Sequence, residues 1–296
     1  MSTRLDLVVL GGGPAAFAAA RGYRDAGGSG AVAIVADERR LPYNRPPLSK
    51  ELLRGEMDER ELPLADDDWL GSEDVRLLGG AAVAIDAGER TVALAGGEVV
   101  GYDNCVLATG GEPTRLPVPG ADDRTVHVFR SLDDLHHLKA RLSGGGPVVV
   151  IGSGFIGCEI AASLRRIGHP VTLVSDEPAP NTARLGDEAG ERIAGWLEEE
   201  GVVLRLGAAV ERIASGDTGA VVHTEHGSAE GEVVVMVTGI TPCSGLAEAA
   251  GTAISDDGRV RVDAKMRTSL EGVLAAGDVA LAHNAAAGRC SVPARR

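Results

Sequence analysis

Two stretches of the chain repeat one rhythm of apolar and small residues. Leu5–Leu10 is an apolar run that ends in three glycines, Gly11–Gly13; an alanine-rich stretch follows to Ala26, and a second apolar run covers 31–35. Run, glycine turn, helix-length segment and run predict strand, tight turn, helix and strand. The order returns at Pro147–Ile151, Gly152–Gly157, Glu159–Ile167 and Val171–Val174, with Gly168 as the helix stop. Cys105–Ala108 and Val233–Val237 read as two further buried strands. Both end in similar exits, Thr109-Gly110-Gly111-Glu112-Pro113 and Thr238-Gly239-Ile240-Thr241-Pro242, as two crossings between domains would. Leu116–Gly120, with two prolines, predicts a stiff extended connector, and Ser143–Gly146 a short turn. Asp66-Asp67-Asp68 predicts a solvated loop or a helix cap.

The glycine turns carry the first chemistry. Gly11, Gly13 and Ala16 form GxGxxA, with Pro14 and Ala15 inside it. The first glycine permits the tight turn, the second lets backbone approach a pyrophosphate, and the small third residue keeps helix and strand close. The helix end then offers N–H groups and partial positive charge to phosphate. Asp37, with Glu38 beside it, follows the second strand, where a carboxylate accepts ribose hydroxyls. In the second unit Gly152, Gly154 and Gly157 form GxGxxG around Phe155 and Ile156, and Asp176 and Glu177 take the ribose position. One such turn is weak evidence. Two, each between strand and helix with acid at the next strand end, predict two dinucleotide sites.

Composition narrows the class. Hydrophobic residues make up 44% and charged residues 24% of 296 residues, as in a soluble globular protein of about two domains. Net charge is −14, which repels nucleic acid and anionic membrane. No apolar run approaches the roughly 20 residues of a membrane span. Cys105, Cys158, Cys243 and Cys290 form no CxxC pair, so the thiols predict a reducing cytoplasm, with no local redox pair and no zinc site. His136-His137 lacks the spacing of a metal site, and no metal is expected.

With those motifs in hand, the sequence resembles the FAD-dependent ferredoxin, rubredoxin and putidaredoxin reductases of the pyridine nucleotide-disulfide oxidoreductase superfamily. The carrying stretches are Val8–Ala20, Leu41–Lys50, Leu107–Gly111, Arg130–Asp134, Gly152–Glu159 and Thr268–Asp278. The resemblance implies an α/β fold of two Rossmann-like domains of glutathione reductase type, the second inserted in the first. The boundaries are a first FAD part at 1–117, an NAD(P)H domain at 118–239 and a shortened second FAD part at 240–296. It also implies residue roles. Ala108, Thr109, Gly110, Arg130, Gly239 and Gly277 line the cofactor sites. Arg45 contacts FAD near its phosphates, Asp278 bonds the ribityl chain or phosphate, and Phe155 gates the nicotinamide pocket. Lys50 stands by the flavin and pairs with Glu159, although 109 positions and a domain boundary separate the two.

The implied activity is hydride transfer from NADH to FAD, then electron delivery to a ferredoxin- or rubredoxin-like protein. NADH is expected over NADPH, because the Asp176-Glu177 stretch carries acids and no base. Only 18 residues follow Asp278, where this family continues into a C-terminal interface domain. A natural short form, a truncated chain and a partner chain that replaces the domain are the three readings of that difference. The competing function is a weakly or non-catalytic FAD/NADH-binding component of a larger redox complex.

Overall fold

A computed structural model describes residues 4–38, 40–284 and 289–290. The chain divides into two compact units. Unit 1 holds residues 1–44, 62–112 and 241–296, and unit 2 holds 45–61 and 113–240. The final stretch of the shortened FAD part, 285–288 and 291–296, lies outside the described residues.

Unit 1 begins with β1 (Arg4–Leu10), α1 (Pro14–Asp25) and β2 (Val32–Ala36). The chain then leaves unit 1 for a 3-10 turn at Pro46–Ser49 and α2 (Glu51–Arg54), and returns through α3 (Asp67–Ser72), β3 (Val75–Gly79), β4 (Ala82–Asp86), β5 (Thr91–Leu94) and β6 (Val99–Leu107). The sheet order is β3-β2-β1-β6-β5-β4. β1, β2, β3 and β6 are parallel, and β4 and β5 add an antiparallel edge. The apolar runs are continuous because both sheet faces are covered. Leu5, Val8, Leu10 and Tyr102 fill one side, and Leu7, Val9, Ile34 and α1's Ala16 and Ala20 fill the other. Asp66 caps α3 by accepting the Trp69 amide at 2.8 Å, so the first acid of the triplet is a helix cap.

After β7 (Gly111–Pro113), unit 2 runs β8 (Val126–Val128), α4 (Leu132–Arg141), β9 (Val148–Ile151), α5 (Phe155–Arg166), β10 (Val171–Val174), α6 (Thr182–Leu185), α7 (Asp187–Glu199) and β11 (Val203–Arg205). Next come the meander β12 (Val210–Gly216), β13 (Gly219–Thr224) and β14 (Gly227–Gly231), then β15 (Val233–Met236) and β16 (Ile240–Pro242). The sheet is ordered β11-β10-β9-β15-β8, with every neighbouring pair parallel. Val149, Ile151, Val234 and Met236 pack one face against Ile213, Val222 and Ala229 of the meander. The chain closes in unit 1 with α8 (Gly245–Ala249), β17 (Val260–Arg261) and β18 (Val273–Ala275), the last parallel to β6.

The two Thr-Gly exits are reciprocal. Thr109 donates its hydroxyl to the Cys243 carbonyl at 2.7 Å, and Thr238 donates to the Thr114 carbonyl at 2.7 Å. Each threonine thus bonds the residue five places past the other.

One expected boundary shifts. Residues 45–61 fall inside the first FAD part on the sequence boundaries but belong to unit 2. Leu48, Leu52 and Leu53 are buried, and Lys139 of α4 donates to the Leu52 carbonyl at 3.0 Å. Arg54 reaches Ser163 of α5 at 3.2 Å. At its base the excursion closes through Asn44 N–H to the Leu62 carbonyl at 2.9 Å. Lys50 and Glu159 therefore lie in one unit, not in two.

Candidate active site

In unit 1, β1 ends in Gly11 at φ +130°, and a Cβ there would stand 2.1 Å from the Ala108 carbonyl oxygen. Only glycine fits that crossing. Gly13 is the N-cap of α1 with extended backbone, and a Cβ on it would meet nothing within 4 Å. Neither conformation nor packing explains a glycine at that point; open space at a helix N-terminus suits a phosphate cradle. Pro14 follows at the first helical position, Ala15 is half-buried, and Ala16 is fully buried where helix meets sheet. Gly277 lies against this loop, since its Cβ would approach the Ala15 Cβ to 2.8 Å. Asp278, exposed in the turn Gly277–Val279, is thereby brought beside the first loop. These residues fit FAD phosphates on their own geometry.

Asp37 is exposed past β2, whereas Glu38 is half-buried and accepts the Tyr43 hydroxyl at 2.8 Å. The Thr109 hydroxyl is committed to Cys243, and the Gly110 carbonyl accepts the Cys243 amide at 3.0 Å. Both therefore serve the chain crossing, which the motif alone did not reveal.

In unit 2, Gly152 repeats the Gly11 geometry, with φ +107° and a virtual Cβ 2.6 Å from the Val237 carbonyl oxygen. Gly154 is the N-cap of α5, and Gly157 packs so tightly that a Cβ would sit 1.9 Å from the Gly152 oxygen. Phe155 is 48% exposed and Ile156 is exposed beside it. The Arg184 guanidinium lies 5.8 Å from the Phe155 ring centre. At the end of β10, Ser175 is buried and takes a hydrogen bond from the Ser153 hydroxyl at 2.7 Å. The Ser175 hydroxyl also accepts the Glu177 amide at 3.2 Å. Asp176 is exposed and Glu177 half-buried. Asn181, in left-handed conformation, donates its amide to the Ser153 carbonyl at 3.1 Å, which draws α6 to the loop. Arg184, Ser153 and Asn181 escape a motif search, because no residue pattern announces a tertiary wall around a loop.

The excursion brings Lys50 to α5. Its Nζ lies 3.3 Å from Glu159 Oε1, and the Ser49 hydroxyl donates to Glu159 Oε2 at 2.5 Å. The pair is about one third exposed, at 31% and 34%, so it is not a fully desolvated ion pair. Arg45 donates to the Arg130 carbonyl at 2.9 Å, and the Arg130 amide donates to Asp134 Oδ2 at 2.9 Å. Ser131 and Asp134 complete a capping box on α4. The structure thus joins Lys50 with Glu159 and Arg45 with Arg130 in unit 2, and Gly11–Ala16 with Gly277-Asp278 in unit 1. Gly239, at φ +120°, lies at the second chain crossing.

Cys158 donates its thiol to the Ser153 carbonyl at 3.3 Å, and burial, with Glu159 and Glu177 nearby, pushes its pKa up to about 12. Cys105 is fully buried and is pushed to the same value by burial. Both, with Cys243, are free thiols, and no group of metal-binding side chains occurs among the described residues. His136 instead meets Glu59 at 2.5 Å. Among the described residues no helix is long and apolar enough to cross a membrane.

Residues 5–289 match the pyridine nucleotide-disulphide oxidoreductase family. Rhodocoxin reductase of Rhodococcus erythropolis is 34% identical over 93% of this chain and 65% of its own length. Rubredoxin-NAD(+) reductase of Pseudomonas putida is 32% identical over 95% of this chain and 73% of its own. Among solved structures, a ferredoxin reductase from Rhodopseudomonas palustris superposes with a TM-score of 0.91 at 31% identity, over 96% of this chain and 70% of the other. The reductase chain of a covalent putidaredoxin reductase–putidaredoxin complex gives 0.90 at 30% identity, over 97% and 70%. The chain spans about two thirds of the length of these relatives.

Proposed function

The chain belongs to the pyridine nucleotide-disulphide oxidoreductase family, and from that premise we propose an FAD-dependent reductase that oxidises NADH and passes electrons to a small redox protein. The carrying observation is the meeting of Lys50 and Glu159 at 3.3 Å, next to the second glycine loop. A cation and carboxylate that lie 109 residues apart are paired on the helix that the nucleotide loop opens. A bound flavin supplies hydride acceptance and one-electron release.

The chain's own residues do the rest. Gly11, Gly13 and Ala15 hold the flavin nucleotide's phosphates at α1, with Asp278 beside them. Gly152, Gly154 and the first turn of α5 hold the nicotinamide nucleotide, and Asp176 and Glu177 take its ribose. Phe155, exposed at the start of α5, takes the place of the gate to the nicotinamide pocket. The Lys50 ammonium would supply positive charge to a flavin that gains electrons, and Glu159, 3.3 Å from it, would hold that ammonium in place. The acceptor is a ferredoxin- or rubredoxin-like protein, the partner type that several relatives' names carry. Free thiols at Cys105, Cys158 and Cys243 favour a reducing, cytoplasmic location.

Anaerobic titration tests this. The purified protein, supplied with FAD, takes on a flavin spectrum and bleaches on addition of NADH. Failure to bind FAD, or a bound flavin that NADH leaves oxidised, overturns the proposal.

A further inference from the structure

Glu159 has two carboxylate oxygens, and each has its own partner: Oε1 faces Lys50 at 3.3 Å, and Oε2 takes the Ser49 hydroxyl at 2.5 Å. Ser49 is only 4% exposed. The Pro46 carbonyl, 3.4 Å away, is the other acceptor in reach, and it is both the longer and the weaker. The Ser49 proton therefore goes to the carboxylate. The main chain of Ser49 is held as well: Ser163 donates its hydroxyl to the Ser49 carbonyl at 2.7 Å and accepts from Arg54 Nη1 at 3.2 Å. Glu159 and Ser163 are four residues apart on α5, so they share a helix face. One face thus grips a single serine at its hydroxyl and at its carbonyl.

We propose that Ser49 is a positioning residue. It occupies Oε2, fixes the Glu159 carboxylate in the rotamer that presents Oε1 to Lys50, and so sets where the Lys50 ammonium stands. Lysine has a flexible four-carbon stem. A carboxylate free to rotate would follow the lysine, and one held by a buried hydroxyl places it. The inference rests on the reading of Lys50 and Glu159 as the working pair.

A double-mutant cycle on the full chain tests it. Ser49→Ala slows anaerobic flavin reduction by NADH about tenfold, the effect of one hydrogen bond to a charged group, and Ser49→Thr restores it. In a Glu159→Ala background Ser49→Ala has no further effect, because the acceptor is gone. A second readout needs no flavin: peptide mass spectrometry measures how fast Lys50 is acylated by an amine-reactive reagent. Labelling rises in Ser49→Ala, returns to the wild-type level in Ser49→Thr, and is unaffected by Ser49→Ala once Glu159 is alanine. An equal effect of Ser49→Ala with and without Glu159 means that the serine only seats the loop, and overturns the proposal. Wild-type behaviour of Ser49→Ala alongside an impaired Glu159→Ala overturns it while the pair stands. Wild-type behaviour of Glu159→Ala itself removes the pair, and Ser49 with it.

Discussion

At the scale of single residues, Lys50 and Glu159 separate a charge effect from a packing effect. Both side chains are about one third exposed, so loss of one partner does not strand a deeply buried charge. The cost should therefore appear in rate more than in stability. Lys50→Met is expected to slow flavin reduction by NADH about a hundredfold, the size of one lost electrostatic contact. FAD content should hold, since the Gly11–Ala16 loop is untouched. Glu159→Gln should slow reduction less, because the amide oxygen still accepts from Lys50 while its nitrogen can donate to the Ser49 hydroxyl. Stopped-flow reduction under anaerobic conditions measures both, and wild-type rates in both variants would remove the pair from the reaction. Lys50 was legible in the sequence through the stretch Leu41–Lys50. Ser49, one residue earlier, carries no such signal, because a serine declares a role only through the carboxylate that it meets.

At the scale of elements, the α5 entry and the β8 edge each set a testable constraint. Gly157 has ordinary helical surroundings, yet a Cβ there would stand 1.9 Å from a backbone oxygen that cannot swing away. Gly157→Ala should therefore push α5 off β9 and cost about 1–3 kcal/mol, visible as a lowered Tm and weaker NADH binding. Wild-type stability would mean that the helix end yields freely. β8 is an edge strand, and its His127 has a buried Nε2 with no hydrogen-bond partner. Burial lowers the pKa of His127 from 6.5, and Arg141, His137 and Arg115 lower it further against a smaller opposing pull from Asp134. Below about pH 6.5 the unfolded chain takes up a proton that the folded chain refuses. The stability that His127 contributes while neutral is thus complete above that pH and is lost as pH falls toward the folded value. Wild type should lose up to about 1 kcal/mol per pH unit more than His127→Phe below pH 6.5 in chemical denaturation. Parallel pH profiles for the two proteins would refute the assignment.

At the scale of the whole molecule, charge and cofactor choice are linked. The chain carries 43 acidic and 29 basic residues, so the extra phosphate of NADPH is repelled by a protein of net charge −14. Within unit 2 the residues after β10 add Asp176 and Glu177, while Ser175 turns inward to Ser153. NADH is expected to show the higher kcat/KM, and salt should narrow its lead over NADPH as screening weakens the repulsion. Steady-state kinetics with both nucleotides at low and high ionic strength test this; equal or better kcat/KM with NADPH would overturn it.

The sequence by itself determined the elements that depend on local order. Strand, glycine turn and helix at Leu5–Asp25 and Val148–Arg166 follow from apolar run length, glycine position and helical periodicity, all of which act over a few residues. The likeness of the two Thr-Gly exits was legible as a repeated motif, and a helix cap was one of the two local readings of Asp66–Asp68. Tertiary structure alone decided where 45–61 belongs. Sequence order sets it between two parts of unit 1, but its buried leucines and its bonds to α4 and α5 hold it in unit 2. It likewise decided that Thr109 spends its hydroxyl on the Cys243 carbonyl, that Glu38 holds Tyr43 while Asp37 stays open, and that Ser49 reaches Glu159. In each case the partner lies on a separate segment. Local propensity fixes which element a residue enters, and only the packing of distant segments fixes what its side chain touches.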